Sequence, residues 1–227
     1  MLRQRDGVML LRKGEEEMST RSPSPREAEE SDPAAGEPAW PVALLFPRQG
    51  QWTEADYLGL STNHLVEFSS GVLEVPEMPS DRHQAIVAFL FSRLLAFVTA
   101  GRLGGAVRFA PLPVRLWPGK FREPDVLFMR AENSDRITDA YWGVPDLVME
   151  VVSPGTKRVD SVIKLREYAE AGVPEYWLVD PEAGTIGLYV LAASAYEQRA
   201  VGRPGDSVRS VALDGFAVAV DEALGAR

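Results

Sequence analysis

Cysteine is absent from this 227-residue chain, and histidine occurs only twice, as His64 and His83. The first absence excludes disulfides and any thiolate-held zinc or iron–sulfur centre. The second excludes a multi-histidine metal site. A metal bound here would be held mainly by oxygen, which points to magnesium or manganese. An excess of basic residues is also lacking. The net charge is −9, whereas proteins that grip nucleic acid through its phosphates usually carry a basic balance. Strong stand-alone DNA binding is therefore not expected, although a local basic groove remains open. Long apolar runs are missing too. The best, over residues 85–101, is interrupted by Arg93 and is amphipathic, so no membrane partner is expected. The first residues include acids and no cleavage pattern follows an apolar core, so no signal peptide is expected. With no cysteines, this fits a reducing, cytoplasmic setting.

What is present is ordinary for a globular protein: 45% hydrophobic and 25% charged residues. The length suits one well-buried domain and a tail. Residues 1–40 hold six basic and nine acidic side chains and a Ser/Pro run at residues 22–25. They read as a solvated, disordered tail, with Met18 a second candidate start. Residues 41–227 read as the folded domain. Thr53 with Asp56 predicts a capped helix to about residue 63. Ser70-Gly71 predicts a hairpin that sets Glu67 opposite Glu74, an unfavourable pairing unless one faces solvent or a cation lies near; solvent is the expected answer. Asp81 and Gln84 open a helix to about residue 100, with His83, Val87, Leu90, Leu94 and Phe97 as its packed stripe. Two strands follow, over 106–117 and 122–129, and alternation puts Asp125, Leu127 and Met129 on one face of the second.

Residues 145–180 organise the rest. Between Asp146 and Val152 the only charge is Glu150. An apolar run bounded by turn residues reads as a strand covered on both faces. A carboxylate there is costly without a metal or a cation as partner. A helical segment with Asp160, Lys164, Glu167 and Tyr168 follows, stopped by Gly172 and Pro174. A second strand starts at Glu175. The length is that of a βαβ unit. Strands 185–191, 196–201 and 208–213 complete the expected set. Asp125 and Glu150 on neighbouring strands, followed by a lysine, suit metal-assisted phosphodiester hydrolysis. The carboxylates hold the ion, and the lysine stabilises developing charge. The plain alternatives are a surface ion pair between Asp160 and Lys164, which a wheel with its apolar arc at Val159, Val162, Leu165 and Ala169 allows, and a core role for His83. Asp146 and Glu123 read as strand-terminus residues.

Four segments together carry a resemblance: FREPDVLFM, PDLVMEVVSP, the D-x-x-x-K-x-x-x-Y helix and GVPEYWLVDP. From about Thr53 to near the C-terminus the chain resembles the Uma-two family of bacterial restriction endonucleases, within the PD-(D/E)XK nuclease superfamily. The resemblance implies an α/β fold: a restriction-endonuclease-like mixed central sheet flanked by helices, with an added N-terminal hairpin and C-terminal strands. It implies a magnesium-type site with Asp125 and Glu150 as metal ligands, the backbone carbonyl of Val151 as a further contact, and Lys164 as the catalytic lysine. The superfamily position two residues after the glutamate is Val152 here, so the lysine comes from the next helix. Glu67 and His83 match recurrent positions and are expected as accessory residues. DNA is the expected substrate and a homodimer the expected state. A catalytically silent interaction module and a hydrolase of another phosphate ester stay open at this point.

Overall fold

The computed structural model describes residues 45–62, 64–155 and 157–227; the tail expected over residues 1–40 lies outside them. The chain divides into two units, Met1–Phe46 and Pro47–Arg227. Of the first, only Leu45 and Phe46 are described, in a turn and a bend. All regular elements described here belong to the second.

Helix α1 (Glu54–Leu58) carries the expected capping box, with Thr53 and Asp56 bonded reciprocally. It stops at Gly59, short of the expected residue 63, since glycine favours leaving a helix. Strands β1 (Glu67–Ser69) and β2 (Val72–Glu74) form the expected hairpin, with Glu67 opposite Glu74. Its turn residues, Ser70 and Gly71, both have positive φ, which matches the twist of a two-residue hairpin. Helix α2 (Asp81–Ala100) is capped by the Ser80 hydroxyl rather than by Asp81. By length and composition it could cross a membrane. Here its buried stripe, Ile86, Val87, Leu90, Leu94 and Val98, packs into the main core.

The two strands expected over 106–117 and 122–129 each break in two. They become β3 (Ala106–Phe109) and β4 (Val114–Trp117), then β5 (Lys120–Arg122) and β6 (Val126–Met129). Pro111, Pro113 and Pro124 cause the breaks, because proline cannot donate to a ladder. The chain changes sheets at each break. β4 and β5 join the hairpin in a four-stranded sheet of order β2-β1-β5-β4. β3 and β6 pair in the larger sheet. Asp125 sits at the second crossing.

After a 3₁₀ turn (Ala131–Arg136) come β7 (Leu147–Val151), a π-helix (Val159–Lys164) continuing as α3 (Leu165–Ala171), β8 (Glu175–Asp180), β9 (Thr185–Ala192) and β10 (Ala195–Gly202). The large sheet has the order β10-β9-β8-β7-β6-β3. Only β7 and β8 are parallel, joined by the helical crossover. Strand β7 is buried throughout. Period-two alternation sends Leu147, Met149 and Val151 to the core under α2, and Val148 to a second core with Tyr168, Val173 and Tyr176. The mixed sheet flanked by helices is thus the architecture expected.

The expected last strand over 208–213 is shorter, as β11 (Ser207–Arg209). It pairs with β12 (Ala217–Ala219), which leads into α4 (Val220–Leu224). Glu175, fully buried, anchors this end. Its carboxylate accepts from the Val211 and Ala212 amides, the Ser210 hydroxyl and the Trp177 indole. The GVPEYWLVDP segment therefore carries a structural glutamate rather than a reactive one.

Candidate active site

Asp125 and Glu150 meet at the seam between β6 and β7. Val126 pairs with Met149, so the antiparallel register brings the residue before Val126 level with the one after Met149. The Asp125 carboxylate accepts from the Val151 amide at 2.8 Å. It also lies 3.2 Å from Nε2 of His83. Burial works against a charged His83, and the Asp125 carboxylate overrides it, so the imidazole pKa is raised. The other ring nitrogen, Nδ1, is buried without a partner. Ser80, the N-cap of α2, accepts from the His83 amide and so fixes the turn that carries His83.

Glu150 is 2% exposed. Its Oε1 accepts from Lys164 Nζ at 3.1 Å and from the Tyr168 hydroxyl at 2.7 Å. Lys164 Nζ also lies 3.4 Å from Glu67 and 3.4 Å from Asp160. The Asp160–Lys164 pair is therefore buried, not the surface pair that helical spacing allowed. Residues 159–164 form a π-helix, and the face that turns inward is the charged one, spaced i, i+4, i+7 and i+8, rather than the apolar arc. Asp160, Lys164, Glu167 and Tyr168 turn inward, and Val162, placed in the expected apolar arc, is 58% exposed.

Arg122 decides the hairpin's like-charge problem: a cation lies between the two carboxylates, and Glu74 also reaches solvent as expected. Its guanidinium is 2% exposed. It bridges Glu67 and Glu74 through Nη1 and holds Glu167 with a two-bond fork, at 2.7 and 3.1 Å. Lys120 adds a second cation to Glu167 at 2.8 Å. Glu67 is thus shared between Arg122 and Lys164, and links the small sheet to the cleft. Burial pushes its pKa up, but Lys164 and Arg122 bring it below the ordinary value.

The cleft itself is a cavity of about 50 Å³ lined by Glu67, His83, Glu123, Asp125, Glu150, Val151, Ser153, Asp160 and Lys164. With Glu77, six carboxylates line it beside one lysine and one histidine. Burial, with Asp125 and Asp160 nearby, pushes Glu150 up to about 8 although Lys164 opposes the shift. Burial and Glu67 push Glu123 up to about 7, and one Glu123 oxygen is buried with no hydrogen-bond partner. Lys164 stays charged: burial opposes this, but Glu150, Glu67 and Asp160 outweigh it. Anionic oxygen is in excess, which is the chemistry a hard divalent cation compensates. Among the described residues, no three His, Asp or Glu side chains stand together as a preformed metal cage. Magnesium does not require one, since one or two carboxylates with water and phosphate oxygens complete its shell. Asp125 and Glu150 fit that donor set.

The structure thus gathers Asp125, Glu150, Lys164, Glu67 and His83 into one cleft. Glu123, read from sequence as a strand terminus, joins them. Asp146 behaves as a local residue, accepting from the Arg130 amide and the Asn133 side chain. Arg122, Glu167 and Tyr168 carried no functional expectation. The signal available for Tyr168 was its spacing, four residues after Lys164 as Asp160 is four before.

A mixed sheet with a buried acidic pair and a lysine at its seam is consistent with the restriction-endonuclease-like class. The family model described as "Uma2: Putative restriction endonuclease" matches residues 53–221, and the chain belongs to that family. Among solved structures, the chain is similar to one titled a "putative nuclease belonging to DUF820" from Anabaena variabilis ATCC 29413. The TM-score is 0.64 at 19% identity, covering 77% of this chain and 98% of that one. That likeness shows the fold. No curated protein matches the chain. Family membership supports nuclease function.

Proposed function

We propose that the protein is a metal-dependent endonuclease that hydrolyses phosphodiester bonds in DNA. The observation that carries this reading is the convergence of Asp125, Glu150 and Lys164 in one buried cleft of a nuclease-family chain. Asp125, Glu150 and the Val151 carbonyl would hold magnesium or manganese, which when bound polarises a phosphate and lowers the pKa of water. Lys164 sets a fixed positive charge beside Glu150, where negative charge builds on the phosphate oxygens. Glu67 and Asp160 hold that ammonium in place, and Tyr168 orients the Glu150 carboxylate. His83 orients Asp125 through the same Oδ2 that accepts from the Val151 amide. As a homodimer the protein would bring two clefts to one duplex.

The test is cleavage of plasmid and oligonucleotide DNA with magnesium or manganese. Glu150→Gln keeps the shape of the side chain and is expected to lower the rate by about 100-fold or more, the scale of losing one electrostatic element of a site. Equal cutting by the variant, or no cutting by either protein with either metal, refutes the assignment.

A further inference from the structure

A second, larger cavity of about 230 Å³ opens directly beside the acidic cleft. The two share Leu65, Pro76, Glu77, Pro79, His83 and Asp125 as walls. The chemistry changes abruptly across that boundary. The cleft is crowded with carboxylates, whereas the far walls of the cavity are apolar: Met78, Val87, Ala110 and Pro111, with Gln84 and His64 as polar side chains at its edge. Its size lies just below the range of about 300–1,000 Å³ for a drug-sized ligand, and suits a single planar ring system.

We infer that this cavity is a nucleobase subsite, which receives the unstacked base of the nucleotide next to the scissile phosphate. The inference rests on the nuclease reading above. A phosphate held at Asp125 and Glu150 has its own sugar and base within one nucleotide's reach, and His83 and Asp125 form the wall between the two compartments. A base has two apolar faces and a polar edge. The proline, methionine and valine walls match the faces. The Gln84 amide, with two donors and an acceptor, matches the edge.

Charge gives a second, independent reason. A chain of net charge −9 gains little from phosphate contacts, the sequence-independent source of affinity for most DNA-binding proteins. Burying a base is a further source, and the base itself carries no charge. A base enters such a cavity only after leaving its stack, which is easiest in single strands and at mismatches. The substrate class is therefore DNA that is single-stranded or locally unpaired near the cut.

The test uses Gln84→Trp and Met78→Trp, both at exposed positions and neither in the acidic cleft. Either indole would fill the cavity. The full-length protein is assayed with magnesium on a single-stranded oligonucleotide, the matching duplex, and a strand with an abasic residue next to the cut. Wild type is expected to cut single strand faster than duplex. Both variants are expected to slow cutting of the intact strand by about tenfold or more, the scale of losing one stacked base, and to match wild type on the abasic strand. In parallel, calorimetry compares thymidine monophosphate with inorganic phosphate, where wild type is expected to favour the nucleotide and the variants to lose that preference. Variants that cut every strand as wild type does, with phosphate binding as tightly as the nucleotide, overturn the subsite while leaving the nuclease reading intact. A wild type that cuts none of the strands overturns both.

Discussion

Replacing Arg122 by methionine removes one guanidinium from among three carboxylates. Side-chain exposure ranks the partners: 4% for Glu67, 11% for Glu167 and 41% for Glu74. Glu74 is half in solvent, and losing an exposed pair costs no more than about 1 kcal/mol. Glu67 and Glu167 are buried, and breaking a buried pair from one side costs about 3–5 kcal/mol because a charge is left uncompensated. Both keep one further cation, Lys164 for Glu67 and Lys120 for Glu167, so the lower end of that range applies. At about 2–4 °C per kcal/mol for a domain of this size, a loss of about 3 kcal/mol lowers Tm by roughly 6–12 °C. Urea and thermal denaturation followed by tryptophan fluorescence and far-ultraviolet circular dichroism measure it. The double variant Arg122→Met, Glu67→Gln should recover part of the loss, since Lys164 keeps Glu150 and Asp160 as partners and removing both sides of a buried pair is far less costly than removing one. A loss below about 1 kcal/mol for the single variant, less than breaking any buried pair costs, would refute the claim that Arg122 ties the hairpin to α3.

Two further outcomes are expected. Burial would raise the pKa of Glu167, but hydrogen bonds from Arg122 and Lys120 reverse this and lower it from 4.5. Its stabilising contribution is therefore full above 4.5 and is lost as the pH falls through the lower folded value. The stability gap between wild type and Glu167→Gln should be widest near neutral pH and narrow in acid; a gap that widens on acidification contradicts the arrangement. At Gly105, φ is +79° and an added Cβ would lie 2.3 Å from the Met129 carbonyl oxygen. Gly105→Ala should cost about 2 kcal/mol or more, because the clash is with backbone and the conformation disfavours alanine; an unchanged urea midpoint refutes this.

Much of the architecture was legible because local physics specified it. Thr53 with Asp56, Ser70-Gly71 and Gly172 set helix and hairpin ends through capping and positive φ. The apolar run around Glu150 announced a strand buried on both faces. The chain's prolines were visible too, yet they split two expected strands, because a proline shows where a ladder must end and not that the chain crosses to another sheet there. That crossing is what sets Asp125 beside Glu150.

The sequence by itself determined most of the elements and placed Asp125 and Glu150 on neighbouring strands. Tertiary structure decided which charges share a cleft. For Lys164 and Asp160 a helical wheel left a surface pair open, and packing buried both, with Lys164 beside Glu150 and Glu67. Which of Glu67 and Glu74 would reach solvent was open until Arg122, 55 residues from Glu67 in sequence, arrived from β5. The periodicity of a segment reports its own repeat, whereas the partner of a buried charge comes from elsewhere in the chain and is set only when sheets and helices pack.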